Sequence, residues 1–218
     1  MGIAQVFIVG LAGPSGSGKT TVARRVATRL NGRVISMENY SVIMEHLPLE
    51  ARAKANYDVP SAIDVRLLES QIRDYAAGKA IETPICDFAQ HSRADNRHEL
   101  VRASTLLIVE GILALHFPQL RAQFALSFYL EASDEVCFHR RKVRDITERQ
   151  RSADFILWQW ENNVLPAKRQ YVVPSKGYAD FVLDADADLA TVEKDLFNVV
   201  TGHWTQSRVP QPESPVAT

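Results

Sequence analysis

Gly13-Pro14-Ser15-Gly16-Ser17-Gly18-Lys19-Thr20 has the Gly-x-x-x-x-Gly-Lys-Ser/Thr spacing that cradles a polyphosphate. Glycines let the chain curl until successive N–H groups point inward at phosphate oxygens, and a helix that starts there adds its positive end. Lys19 reaches the outer phosphates as a point charge, and the Thr20 hydroxyl is suited to ligate Mg²⁺. Gly13, Ser15, Gly16, Ser17, Gly18, Lys19, Thr20 and Thr21 are therefore the expected contacts to a nucleoside triphosphate. Two carboxylates belong with them. Glu110 follows the apolar run Leu106-Leu107-Ile108-Val109 in the manner of a Walker-B acid, and is expected to hold Mg²⁺ directly or through water. Glu38 closes a shorter apolar run and could take the proton of an attacking hydroxyl, although a solvated carboxylate at a strand end would look the same.

A third constellation is basic. Between Arg140 and Arg151 six cationic residues (140, 141, 142, 144, 149 and 151) stand against two acids, Asp145 and Glu148. Phosphoryl transfer spreads negative charge over three equatorial oxygens, so guanidinium groups that close over them are useful chemistry. Arg144, Arg149 and Arg151 are the expected catalytic arginines of such a lid, beside Lys19 and Glu38. There is no Asn-Lys-x-Asp guanine-reading motif, and Glu110-Gly111-Ile112 replaces the Asp-x-x-Gly of a GTPase switch. ATP-dependent transfer is the better reading.

The elements that must position these groups alternate. Apolar strand-length runs occur at Val6–Ala12, Arg33–Met37, Thr105–Val109, Leu126–Leu130 and Asp180–Leu183. Helical periodicity follows the loop (Val22, Val26, Leu30) and covers Val65, Leu68, Ile72 and Tyr75; further helices are expected over residues 41–57, 134–149, 152–170 and 188–199. Such alternation predicts an α/β fold with a parallel sheet and helices on both faces. Residues 81–101 instead read as a small β-hairpin arm outside the main sheet, either a cover for a substrate or a solvated surface hairpin. The expected organisation is one domain over 1–204, with the arm near 81–101 and the lid near 140–152, and a disordered tail over 205–218.

The whole chain narrows the partners. A formal net charge of −1 on 218 residues gives no case for wholesale binding of nucleic acid or of an anionic membrane. No apolar run approaches the roughly 20 residues that span a bilayer. The two cysteines, Cys86 and Cys137, read as free thiols, and with no leader-like segment a cytoplasmic location is expected.

Six stretches in order, AGPSGSGKTTVA, NYDVPSAID, ETPICDFAQHSR, LLIVEGILAL, RRKVRDITERQR and PSKGYAD, make the chain resemble the uridine–cytidine kinases, within the wider group of P-loop kinases that includes phosphoribulokinase and pantothenate kinase. The similarity covers about residues 6–184. It implies a five-stranded parallel sheet with a hairpin arm and an arginine-rich lid, a homotetramer, and transfer of the ATP γ-phosphate to the 5′-hydroxyl of uridine or cytidine. By the same resemblance Thr20 and Glu110 hold Mg²⁺, and Asp58, Arg141 and Gln159 hold the ribose or its 5′ end. Phe88 and His91 of the arm hold the pyrimidine, with Cys86 beside them. Arg144, Arg149 and Arg151 contact phosphates, Arg151 reaching the substrate as well. The chain departs from the family pattern at Glu38, where the family has an aspartate, at Cys86, where it has a tyrosine, and at Ser41, where it has an aromatic residue. All three departures fall on the acceptor side. Two alternatives keep the same nucleotide site: a kinase of this group for another hydroxyl compound, and a non-catalytic nucleotide-binding regulator.

Overall fold

The computed structural model describes residues 5–42, 46–87, 92–186 and 188–207. Five strands, β1 (Phe7–Ala12), β2 (Arg33–Ser36), β5 (Leu106–Glu110), β6 (Leu126–Glu131) and β7 (Phe181–Asp184), form one sheet in the order β2-β5-β1-β6-β7. All four pairings are parallel. β1 and β5 are buried along their whole length, as their unbroken apolar sequence requires. Because side chains alternate across a strand, successive residues feed opposite cores. Ile8, Leu107 and Val109 pack with α3 (Val65–Ala76) through Leu68, Ile72 and Tyr75. Val9, Leu11 and Ile108 pack with α1 (Lys19–Arg29) through Val22, Ala23 and Val26, and with α9 (Leu189–Ser207) through Val192, Leu196 and Val200. Helices therefore cover both faces, as expected.

The expected arm is a separate two-stranded sheet, β3 (Ile81–Asp87) paired antiparallel with β4 (Ser92–Val101). The end of the arm nearest the β3–β4 connection is tied to the body: Arg93, paired with Cys86, donates to the Tyr40 carbonyl (3.0 Å) and to the Asp64 carboxylate (3.3 Å), and Asp64 caps α3 at Leu67.

Several boundaries differ from expectation, each for a local reason. Of residues 41–57, those helical among the described residues are α2, Leu49–Lys54; Pro48 opens it, and an extended Ala55 ends it. Residues 43–45 of that expected helix lie outside the described ones. The second strand stops at Ser36, so Glu38 stands in a 3-10 turn, Met37–Tyr40, and not on the strand itself. α5 (Asp134–Thr147) ends two residues early, and Gln150, at φ 53°, turns the chain back so that the Arg151 N–H reaches the Asp145 carbonyl at 3.0 Å. The next helical stretch opens as α6 (Ala153–Gln159) and continues to Tyr178 through two π-helical turns, Trp160–Val164 and Lys168–Val172. Finally, Thr205–Ser207 of the expected tail are helical, since α9 continues through Ser207; the apolar positions Val192, Leu196 and Val200 extend at the same four-residue spacing to Trp204 and hold the last turns. The rest of the expected tail lies outside the described residues.

Candidate active site

The site lies beyond the carboxyl ends of β1, β2 and β5, where open parallel sheets bind ligands. β1 delivers the chain into the loop, and Gly13, Gly16 and Gly18 take φ values of 143°, 89° and 96°. Only glycine adopts these without strain. Gly16 has a second reason: a Cβ there would sit 2.2 Å from the Cys137 carbonyl oxygen of α5. The loop and the lid helix are thus in direct backbone contact.

α1 begins at Lys19, whose buried ammonium donates to the Pro14 carbonyl at 2.8 Å. Burial pushes the Lys19 pKa down, and Glu110 and Glu38 oppose that shift. The next residue, Thr20, donates from its hydroxyl to Glu110 Oε1 at 3.0 Å. The Glu110 carboxyl is pushed above its ordinary range by burial, against the pull of Lys19. Ser36, at the end of β2, bonds to the same carboxylate.

Two cavities open here. One is lined by Ser15, Gly16, Gly18, Lys19, Thr20 and Thr21, with Arg140 and Arg144 from α5. The other is lined by Asp58, Cys86, Arg141, Arg151 and Gln159, with Ser41, Tyr57, Ile112 and Asn163. Glu38 and Arg149 line both, so they form the shared wall. They are also paired, Arg149 Nη2 to Glu38 Oε2 at 3.2 Å. Burial alone would raise the Glu38 carboxyl, but Arg149 and Arg144, then Lys19 and Arg141, outweigh it and hold Glu38 below its usual range. Asp58 goes the other way: burial raises it more than Arg141 lowers it.

The structure brings most of the expected residues together. Arg141 spans the two cavities' supports, bonding the Ser15 hydroxyl at 2.8 Å while lining the second cavity. Arg151 donates to the Gln159 side-chain oxygen at 3.1 Å, and Gln159 donates to the Ala53 carbonyl at 3.3 Å. Cys86 lies in the second cavity with its thiol pushed up to about 11, by burial first and by Glu38 next; its N–H donates to Asn39 Oδ1 at 3.3 Å. Ser17 is buried with no hydrogen bond to its hydroxyl, and lines neither cavity. Phe88 and His91 lie outside the described residues.

Sequence reasoning missed three groups. Tyr57 stands beside Asp58 in the same stretch and could have been read as a wall residue. Asn163 was hidden because a π turn, which no simple periodicity foretells, rotates it toward the cavity. Asp145 was counted merely as an acid among arginines, yet it is wholly buried at their centre.

A Mg²⁺ ion needs hard oxygen donors and uses one or two carboxylates alongside phosphates and water. The part-buried Thr20–Glu110 pair at the loop is such a donor set.

The comparisons with known proteins agree with this geometry. Residues 8–191 match the model of the phosphoribulokinase / uridine kinase family. The chain is 38% identical over 179 residues to a uridine kinase of Ligilactobacillus salivarius, covering 81% of this chain and 84% of that protein. It is also 38% identical over 180 residues to a uridine kinase of Lactobacillus helveticus, covering 81% and 85%. A solved structure of a possible uridine kinase from Bacillus stearothermophilus shares the fold, with a TM-score of 0.59 at 19% identity, over 84% of this chain and 91% of that one. No helix among the described residues is long and apolar enough to cross a membrane. With a phosphate loop, a strand-end carboxylate and an arginine lid meeting at one wall, and a match over most of its length, the chain is an ATP-dependent kinase and belongs to the phosphoribulokinase / uridine kinase family.

Proposed function

We propose that the enzyme transfers the γ-phosphate of ATP to the 5′-hydroxyl of a pyrimidine nucleoside, uridine or cytidine. The observation that carries this is the shared wall. A carboxylate and an arginine, Glu38 and Arg149, stand between a cavity built from the phosphate loop and one built from Asp58, Arg141, Arg151 and Gln159. The first suits the donor. The second offers a carboxylate, an amide and guanidiniums, the partners that a ribose needs when its hydroxyls leave water. The uridine kinases to which the chain is similar support the same acceptor.

In this reading the loop N–H groups and Lys19 hold the triphosphate, and Thr20 and Glu110 hold Mg²⁺, which would supply charge neutralisation and orientation of the phosphates. Asp58 and Gln159 orient the sugar. Glu38, ionised because the arginines around it hold its pKa low, takes the proton as the 5′ oxygen bonds to phosphorus and the bond to the ADP oxygen breaks. Arg144, Arg149 and Arg151 hold charge on the migrating group. Cys86, neutral at pH 7, contributes a weak donor and volume to the pocket for the base, beside Phe88 and His91. The enzyme is a cytoplasmic homotetramer in this proposal, as the family resemblance implies.

ADP release from Mg²⁺-ATP, measured with uridine or cytidine against a control without acceptor, tests the reading. An acceptor-dependent rate supports it. Hydrolysis or binding of ATP without such a rate would refute the nucleoside and move the search to other hydroxyl compounds.

A further inference from the structure

We infer that Asp145 is a positioning residue that sorts the lid arginines between the donor and acceptor cavities, each of its two carboxylate oxygens serving one cavity. The inference rests on the assignment of the cavities made above.

Asp145 is 0% exposed and lines neither cavity, so it acts on ligands only through other residues. Its Oδ1 faces Arg144, whose Nη2 and Nε both lie at 2.8 Å, and Arg149, whose Nε lies at 3.7 Å. Its Oδ2 faces Arg151 Nη1 at 3.2 Å and Arg141 Nε at 3.6 Å. The division matches the cavities. Arg144 and Arg149 line the loop cavity, and Arg141 and Arg151 line the acceptor cavity, with Arg149 on the wall between them.

The sequence spacing produces this arrangement. Arg141 stands four residues before Asp145, on its side of α5, and Arg149 four residues after it, just past the end of the helix. Arg151 lies beyond the helix and is returned by the turn at Gln150, with its own N–H held by the Asp145 carbonyl at 3.0 Å. Four guanidiniums this close repel one another, and without a central anion each would turn to solvent. A carboxylate can accept from both oxygens at once and so fix two pairs in opposite directions. The arginines then meet either substrate already oriented, with less rotamer freedom left to lose on binding.

The test uses Asp145→Asn, which keeps the shape but replaces one oxygen with an amide that repels guanidinium. We expect Mg²⁺-ATP binding by calorimetry to weaken roughly tenfold and the uridine KM to rise roughly tenfold, since the negative charge that holds both arginine pairs is gone and the neutral oxygen that remains can accept from only one of them. Arg144→Gln should weaken ATP binding with the uridine KM unchanged, and Arg151→Gln should raise the uridine KM with ATP binding unchanged, whatever either does to kcat. Rates are expressed per ATP-binding site, so a residue that merely supports the fold would lower the number of sites and leave both constants unchanged. A variant that shifts neither constant, or shifts only one, overturns the inference.

Should Asp145→Asn fail to fold, Asp145→Glu decides. It keeps the buried charge but displaces the oxygens, so weakening on both sides supports the inference and wild-type constants overturn it. If the wild-type enzyme does not phosphorylate uridine, the acceptor assignment fails separately. The ATP arm still decides: weakened binding in Asp145→Asn that matches Arg144→Gln supports the role, and unchanged binding overturns it.

Discussion

Glu38→Gln isolates proton acceptance from everything else Glu38 does. Glutamine has the same length, and its amide oxygen can still accept from Arg149, which donates to Glu38 at 3.2 Å. What disappears is the negative charge and the ability to take a proton. The stability change should be small. The Glu38 side chain is 41% exposed, so its ion pair is well screened and worth at most about 1 kcal/mol, a shift of about 2–4 °C in Tm at this chain length. The kinetic change should be large. General-base catalysis contributes about 10²–10⁴ in rate, and the arginines that hold the Glu38 pKa low also make it a weaker base. The lower part of that range applies, a loss in kcat of about 10²-fold, equivalent to about 2.7 kcal/mol of barrier.

The assay is steady-state ADP release at saturating uridine, with Mg²⁺-ATP affinity from calorimetry and Tm measured alongside. The ATP affinity should change by less than about threefold, since Arg149, held by a neutral amide oxygen in place of a carboxylate, stays available to the phosphates. A kcat that stays within threefold of wild type would show that Glu38 is not the base. A loss of kcat matched by an equal loss of ATP affinity would show instead that its charge organises the donor side. Glu38→Asp then separates charge from placement, because it keeps the carboxylate and withdraws it by one methylene; a misplacement of about 1 Å can cost about 10²-fold.

Other consequences are open to direct measurement. Gly16→Ala should abolish Mg²⁺-ATP binding and lower Tm, because its φ of 89° strains any side chain and its Cβ would meet the Cys137 carbonyl at 2.2 Å; wild-type calorimetry would refute the loop–lid contact. Glu110→Gln should raise the Tm of the ligand-free chain while weakening the affinity for Mg²⁺-ATP. The folded pKa of Glu110 lies above its unfolded value of about 4.3, so the buried charge costs stability at neutral pH and that cost is relieved as pH falls through the folded pKa toward 4.3. The Tm gain should therefore be larger at pH 8 than at pH 4, and the reverse order would contradict the assignment. Cys86→Tyr, which restores the phenol of the family pattern, should lower the uridine KM without changing ATP affinity; an unchanged KM would place the base away from Cys86.

The phosphate loop was legible in the sequence because its function is carried by backbone geometry, which glycine spacing encodes directly. Glu110 was legible for a related reason: an apolar run long enough for one strand ends at it, and the sheet puts strand ends together. Arg151 was expected past a helix over 134–149 and Arg149 at its last residue; the helix stops at Thr147, so both lie beyond it. Their partners could not be read in the same way, since those depend on distances between segments. Glu38 and Arg149 are 111 residues apart and Arg141 and Ser15 are 126 apart, and no local pattern couples them. Asp145 is the instructive failure. In one dimension it dilutes a basic run; in three it is the anion that lets the run fold.

That distinction bears on how the lid works. Arginines waiting in solvent would have to lose water and rotamer freedom at the moment ATP arrives. Here Arg141, Arg149 and Arg151 are already largely buried, with side-chain exposures of 7%, 12% and 10%, and Arg144 is half-buried. Much of their desolvation is therefore complete in the ligand-free chain, balanced by Asp145 and Glu38. Phosphates would enter as competing acceptors for guanidiniums that need only change partners. The two internal anions are not equivalent in that exchange. Asp145 is wholly buried and deep among the arginines, whereas Glu38 is partly exposed on the wall between the cavities. In the proposed reaction the more accessible pair, Glu38–Arg149, is the one that an incoming γ-phosphate would break first. Its rupture frees a carboxylate on the acceptor side at the moment an arginine is taken up on the donor side. Under that proposal one ion pair couples proton acceptance to charge neutralisation, and it does so only if the residue on that wall is acidic.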